Sequence, residues 1–213
     1  LQVAGRLPID VQQLPIDLLS LSGHKMYSVQ GAGALYIRDG VEMQPLLTGG
    51  GQEQQLRSGT QAVGAIAAFG VAAKLARLEM PTESPRLQGL RDQLFELLAD
   101  CPYLIPTGSR ADRLPHHVSF AVKSPTEPIT GKTLVRQLNL AGIGISAGSA
   151  CDSGKLKPSS ILLAMGYSQE MAVAGIRLTL GRSSTAADIQ WTALVLKQVL
   201  QRLIEESNLV LAR

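Results

Sequence analysis

The chain has 213 residues, of which 45% are hydrophobic and 17% charged, a balance that excludes a disordered chain and suffices for a sizeable core. Its net charge of +3 comes from basic residues that are scattered rather than striped, which argues against direct nucleic-acid binding. No apolar run is long enough to cross a bilayer, and Arg6 and Asp10 interrupt the segment where a signal peptide would be apolar, so a cytoplasmic protein with no membrane partner is expected.

The first residues, Leu1-Gln2-Val3, open without a methionine and run directly into what reads as the middle of a domain, so a fragment is expected. A short apolar stretch from Pro15 to Ser22 ends just before Gly23-His24-Lys25. Ala32 to Ile37 reads as a buried strand, Asp39-Gly40 as a tight hairpin turn, and Val41 to Leu46 as the returning strand. A glycine-rich loop follows, from Gly49-Gly50-Gly51 to Ser58-Gly59-Thr60. From Gln61 to about Glu79 the apolar residues recur at helical steps. Pro81 and Pro85 are expected to end that helix and to mark a boundary between domains at 1–82 and 83–213.

Past the boundary, Leu87, Leu90, Leu94, Leu97 and Leu98 trace an amphipathic helix. His117 to Val122 alternates like a strand, Thr130 to Leu140 is helical, and Ile143 to Ile145 reads as a short strand. A helix from Ser159 to Met165 closes at Gly166, and Ile176 to Leu180 reads as a strand. Thr185, with Asp188 three residues on, forms a capping pattern for a last helix to about Ser207. Helices and strands alternate, so the class is α/β or α+β, without repeats.

Chemistry concentrates in four places. Ser22-Gly23-His24-Lys25 offers an amine with hydroxyl and imidazole donors suited to a phosphate, or else simply a surface turn. The run Gly49-Gly50-Gly51-Gln52-Glu53 with Leu56-Arg57-Ser58-Gly59-Thr60 suits close approach to an anion, or is a connector with Thr60 as helix cap. Cys151 lies among small residues between Gly144 and Gly154, as a thiol that must move would, or as an inert loop cysteine. Arg177, in Gly175-Ile176-Arg177-Leu178-Thr179-Leu180, suits a grip on a carboxylate, or an ion pair on a sheet edge. The other cysteine, Cys101, reads as a small buried hydrophobe, and two cysteines are too few for a disulfide framework or a structural zinc site.

Taken in order, these runs resemble the cysteine desulfurase family within the class-V, fold-type-I enzymes that use pyridoxal phosphate. The matching stretches are Leu21-Ser22-Gly23-His24-Lys25-Met26-Tyr27, Gly31-Ala32-Gly33-Ala34-Leu35-Tyr36, the two glycine-rich runs, Gly148-Ser149-Ala150-Cys151, and Ile176-Arg177-Leu178 with Leu180-Gly181-Arg182. The Gly-Ser-Ala-Cys run is the most specific of them. The resemblance implies the end of a large cofactor-binding domain at 1–82 and a smaller α+β C-terminal domain at 83–213.

By the same resemblance, Lys25 would carry pyridoxal 5'-phosphate covalently and then move protons, with Ser22 and His24 on the phosphate and Gln2 at the phenolic oxygen. Thr60 would reach the phosphate of a neighbouring subunit, which implies a homodimer. Arg177 would bind the carboxylate of L-cysteine, with Arg182 as the second candidate. Cys151 would take the sulfur as a persulfide and offer it to an acceptor or scaffold protein for iron–sulfur cluster or thiolation pathways. A selenocysteine lyase, another class-V enzyme, or a non-catalytic dimerisation and acceptor-binding module are the alternatives. Two departures stand out. Met26-Tyr27-Ser28-Val29-Gln30-Gly31 lacks a proline and a lysine of the family run. The family's ring-nitrogen aspartate and ring-stacking histidine would precede Leu1, so this chain by itself is expected to be a poor desulfurase.

Overall fold

A computed structural model describes residues 2–125, 128–148 and 157–211. It separates into two compact units, Leu1–Ser84 and Pro85–Arg213, which are taken one at a time.

In the first unit, β1 (Leu18–Ser22) pairs antiparallel with β2 (Gly33–Ile37), running from Leu18 opposite Ile37 to Ser22 opposite Gly33. A 3-10 turn, Gly23–Met26, leaves the end of β1. Its shape depends on a glycine, because a Cβ at Gly23 would lie 3.2 Å from both the Ala32 carbonyl and the Phe69 ring. Met26, Phe69 and Ala72 form a small core, with Leu21, Ala32 and Ala76 packed against it.

The expected return strand at 41–46 does not form, and β1 takes its place as the partner of β2. Two local causes are visible. The Val41 N–H turns back to the Arg38 carbonyl at 3.1 Å, and Pro45 has no N–H to give to a ladder. Arg38 meanwhile ties the approach to β1 onto the end of β2. Its guanidinium donates to the carbonyls of Val11, Leu14 and Ile16 and lies 3.3 Å from the Asp17 carboxylate.

Helix α1 runs unbroken from Val63 to Leu97, through both prolines expected to end it. A proline in a helix interior costs about 3 kcal/mol, through a lost hydrogen bond and a clash with the preceding turn. Here Pro81 and Pro85 are exposed and four residues apart, hence on one face, so water can reach the carbonyls they leave without a donor. Leu87, Leu94 and Phe95, all nearly inaccessible, supply the burial that carries the helix on. Each such side chain contributes roughly 1.5–3 kcal/mol.

The second unit is built on an antiparallel sheet in the order β3 (Leu104–Pro106), β4 (His117–Val122), β6 (Gly175–Thr179), β5 (Ser146–Ala147). Val118, Phe120 and Val122 of β4 and Ile176 and Leu178 of β6 face a core shared with the end of α1, with α2 (Gly131–Leu140) and with α5 (Ala186–Leu211). Phe95 meets Phe120 in a tilted pair with centroids 5.2 Å apart. Alternation then sends His117 and Ser119, and opposite them Arg177, to the other face.

Short helices α3 (Ser160–Ala164) and α4 (Gln169–Val173) are capped by Ser159 and Ser168, whose hydroxyls accept from the N–H of the third residue of each helix, Leu162 and Met171. The capping pattern at α5 forms in both directions: the Thr185 N–H donates to Asp188 at 2.8 Å, and the Asp188 N–H donates to the Thr185 hydroxyl at 3.2 Å. The strand expected at 143–145 lies instead at 146–147. The Ile143 N–H is already used, donating to the Leu138 carbonyl at 2.9 Å beside Gly142 at φ +77°, and so closes the end of α2. Among the described residues, no helix is long and apolar enough to cross a membrane.

Candidate active site

Arg177 projects from the middle of β6, between β4 and β5, with Ser119 directly opposite on one side and Ser146 on the other. This position rules out the sheet-edge ion pair. Its Nη2 donates to Ser146 Oγ at 3.4 Å, while its Nε is buried without a hydrogen-bond partner. Among the described residues no carboxylate pairs with it. A buried guanidinium N–H left without an acceptor is costly unless something else supplies one, and a carboxylate would.

The surroundings form a cleft of about 370 Å³ lined by Arg113, His117, Ser119, Ser159, Gly148 and Arg177, among others. Arg113 is fixed by several contacts. It donates through Nε to the Ser109 carbonyl at 2.9 Å, through Nη1 to Ser119 Oγ at 3.1 Å, and through Nη2 to the Thr107 carbonyl, while its guanidinium stacks 5.0 Å from the Phe95 ring. Burial and the nearby guanidiniums of Arg91 and Arg110 hold it below the usual arginine range, yet an arginine stays charged in a protein.

Burial, then Arg113 and Arg177, push His117 down from the ordinary imidazole value to about 4, so it is neutral near pH 7. Sequence reasoning missed both Arg113 and His117 as site residues. The available signal was the alternation of β4, which puts His117 and Ser119 on the face away from Val118 and Phe120. Gly148 lines the same cleft, its N–H donating to the Gly175 carbonyl at 3.1 Å. The sequence run from Gly148 leads to Cys151, which lies outside the described residues.

In the first unit, Ser22, His24 and Lys25 share one turn at the end of β1, with His24 and Lys25 exposed. Ser22 makes no side-chain capping bond to that turn, which leaves its hydroxyl available to an anion. A hydroxyl, an imidazole and a primary amine within four residues, on a turn that approaches Phe69 and Ala32 closely at Gly23, are the donor set that a phosphorylated aldehyde cofactor needs. The residues therefore fit that group. Gln2 is half-buried and Thr60 exposed, and no hydrogen bond among the described residues joins either to the turn. Thr60 also lies too early to cap α1, which begins at Val63. Its loop holds Glu53, Gln54 and Gln55 at φ of 52, 57 and 66°, three successive left-handed residues that are not glycine.

A mixed α/β fold with a lysine turn after a strand and an arginine-lined sheet face agrees with the family match. Over residues 1–191 the chain matches aminotransferase class-V, and it belongs to that family. Among curated proteins it is similar to the cysteine desulfurase IscS of Methanosarcina thermophila, 42% identical over 208 residues that cover 98% of this chain and 50% of that protein. The cysteine desulfurase IscS of Dictyoglomus turgidum is 39% identical over 203 residues, 95% of this chain and 50% of its own length. Among solved structures, a NifS-like protein from Rickettsia africae superimposes with a TM-score of 0.83 at 28% identity, covering 94% of this chain and 52% of that one. The chain thus spans about half the length of the curated relatives it matches.

Proposed function

We propose that this chain belongs to a pyridoxal-phosphate-dependent cysteine desulfurase, which converts L-cysteine to L-alanine and passes the sulfur to Cys151 as a persulfide. The observation that carries the reading is Arg177, a guanidinium with a buried N–H lacking an acceptor, in a cleft that also takes in Gly148, the first residue of the Gly-Ser-Ala-Cys run.

Pyridoxal phosphate bound at Lys25 supplies an electron sink that makes the carbon–sulfur bond of cysteine cleavable. This chain's residues do the rest. Arg177 binds the substrate carboxylate, and Ser22 and His24 hold the phosphate, with Gln2 at the phenolic oxygen. Lys25 Nζ, which would hold the cofactor, would also carry protons to and from the substrate carbon. The Cys151 thiolate attacks the substrate sulfur, so that one sulfur–sulfur bond forms as the carbon–sulfur bond breaks. The two thiol protons and the two β-hydrogens of the reactants end as the methyl group of alanine and the persulfide S–H.

The same reading assigns 1–82 to a cofactor-binding domain, 83–213 to a small domain carrying the cysteine, and Thr60 to a neighbouring subunit's phosphate in a homodimer. It places the protein in a reducing cytoplasm, where a free thiol and its persulfide persist long enough to meet a sulfur acceptor. The test uses the full-length protein. Borohydride reduction followed by peptide mass spectrometry should place the cofactor on Lys25. Cys151→Ser should keep that adduct yet abolish persulfide formation from cysteine. Sulfur transfer that survives the Cys151 change, or an adduct on another lysine, refutes the assignment.

A further inference from the structure

Arg177 does not stand alone on its face of the sheet. In the β4–β6 register Ser119 lies opposite Arg177 and His117 opposite Thr179, so His117 and Arg177 are diagonal neighbours on one face, and both line the cleft. The protonation of His117 follows from its surroundings. Arg113 Nη1 lies 3.4 Å from His117 Nδ1. A guanidinium can only donate, so Nδ1 must accept, and the single ring proton is left on Nε2. Burial comes first in keeping this imidazole neutral, and protonating Nδ1 as well would set two donors against each other between two cations. Among the described residues Nε2 has no hydrogen-bond partner. Beside the guanidinium of Arg177 the face thus presents, on the diagonal, one neutral N–H donor whose tautomer Arg113 sets from its other side.

We infer that His117 is a second recognition residue for the substrate carboxylate, its Nε2–H donating to one oxygen while Arg177 holds the other, with Arg113 as the positioning residue that sets the His117 tautomer. The inference rests on the reading of Arg177 as the carboxylate site. A carboxylate held there would have one oxygen met by a charged donor and the other by a neutral one. The cleft volume of about 370 Å³ leaves space for a small amino acid.

The test uses the full-length protein and two probes, L-alanine and its isostere L-alaninamide, which lacks the carboxylate. Nitrogen chemical shifts of the His117 ring should show an unprotonated Nδ1 and a protonated Nε2 at neutral pH. L-alanine should shift the Nε2–H signal saturably, and L-alaninamide should not. His117→Phe should weaken L-alanine binding about tenfold, the scale of one hydrogen bond to a charged acceptor. His117→Gln, which keeps an N–H near the Nε2 position, should stay within about threefold of the native chain, so a folding defect cannot mimic the result. Binding that depends on Arg177 but survives His117→Phe unchanged, or a ring protonated at Nδ1, overturns this inference and spares the reading of Arg177. Absence of binding to the native chain, or binding indifferent to Arg177→Gln, overturns both.

Discussion

Replacing Gly131 with alanine should destabilise the second unit, although alanine is the better helix former. An ideal Cβ at Gly131 would stand 2.5 Å from the Gly175 carbonyl oxygen and 3.0 Å from Ala147 Cβ. Ordinary contact begins near 3.4 Å, so backbone must separate by about 0.9 Å. Gly175 is poorly placed to give way, because it pairs with Ala121 across the sheet and its carbonyl accepts the Gly148 N–H at 3.1 Å. Overpacking of this kind costs about 1–3 kcal/mol, and the gain from removing a glycine returns about 0.4–1 kcal/mol. The net loss is about 1–2 kcal/mol.

The control is Gly89→Ala in α1, where nothing lies within 4 Å and alanine should add about 0.5–1 kcal/mol. Urea unfolding followed by the fluorescence of Trp191, the one tryptophan of the chain, reports on the second unit. With a slope of about 1–3 kcal/mol/M, Gly131→Ala should lower the midpoint by about 0.5–1 M and Gly89→Ala should raise it slightly. A Gly131→Ala midpoint equal to or above the native one refutes the packing argument.

Other expectations follow from the same structure. The folded pKa of His117 near 4 lies below its ordinary value of 6.5, so the unfolded chain binds the proton first as pH falls. Stability should be full above about pH 6.5 and decline between 6.5 and 4, by on the order of 1–2 kcal/mol once solvent screening of the half-buried ring is allowed for. His117→Phe should remove that part of the slope in midpoints measured across the window. At α5, the Thr185 hydroxyl and N–H hold the Asp188 carboxylate below the usual range, so its support is present at neutral pH and lost as pH falls through the lowered value. Asp188→Asn should therefore speed amide exchange in the first turn of α5 at neutral pH, and the difference should vanish in acid. Leu94→Ala, at a side chain with no exposure, should cost about 2–5 kcal/mol in the same urea assay, and a loss below 1 kcal/mol would contradict its place in the core.

Much of the second unit was legible in the residue pattern, because its signals are local. Alternation marked β4 and the position of Arg177 in β6, the Thr185–Asp188 pair marked the start of α5, and leucine spacing marked the end of α1. What was not legible depends on partners distant in sequence. Strand β3 has three residues ending in a proline and is defined by its pairing with β4, so it left no pattern to read. The passage of α1 through two prolines reflects exposure on one side and leucine burial on the other, which outweigh local propensity. Arg113 and His117 became site candidates only once the β4–β6 register set Ser119 opposite Arg177. In the first unit the lysine turn was readable from its motif, whereas the partner of β2 is a strand that precedes it, with Arg38 tying the approach to that strand from 22 to 27 residues away.

The edges of the four-stranded sheet carry a further consequence, for solubility. An open sheet edge is a template on which another chain can add a strand and begin to aggregate. One edge here, β5, is only two residues long. The other, β3, has three residues and ends at Pro106, which offers no N–H to a newcomer. Among the described residues, the sheet that carries Arg177 and its polar neighbours therefore ends on both sides in strands too short for misassembly to grow from.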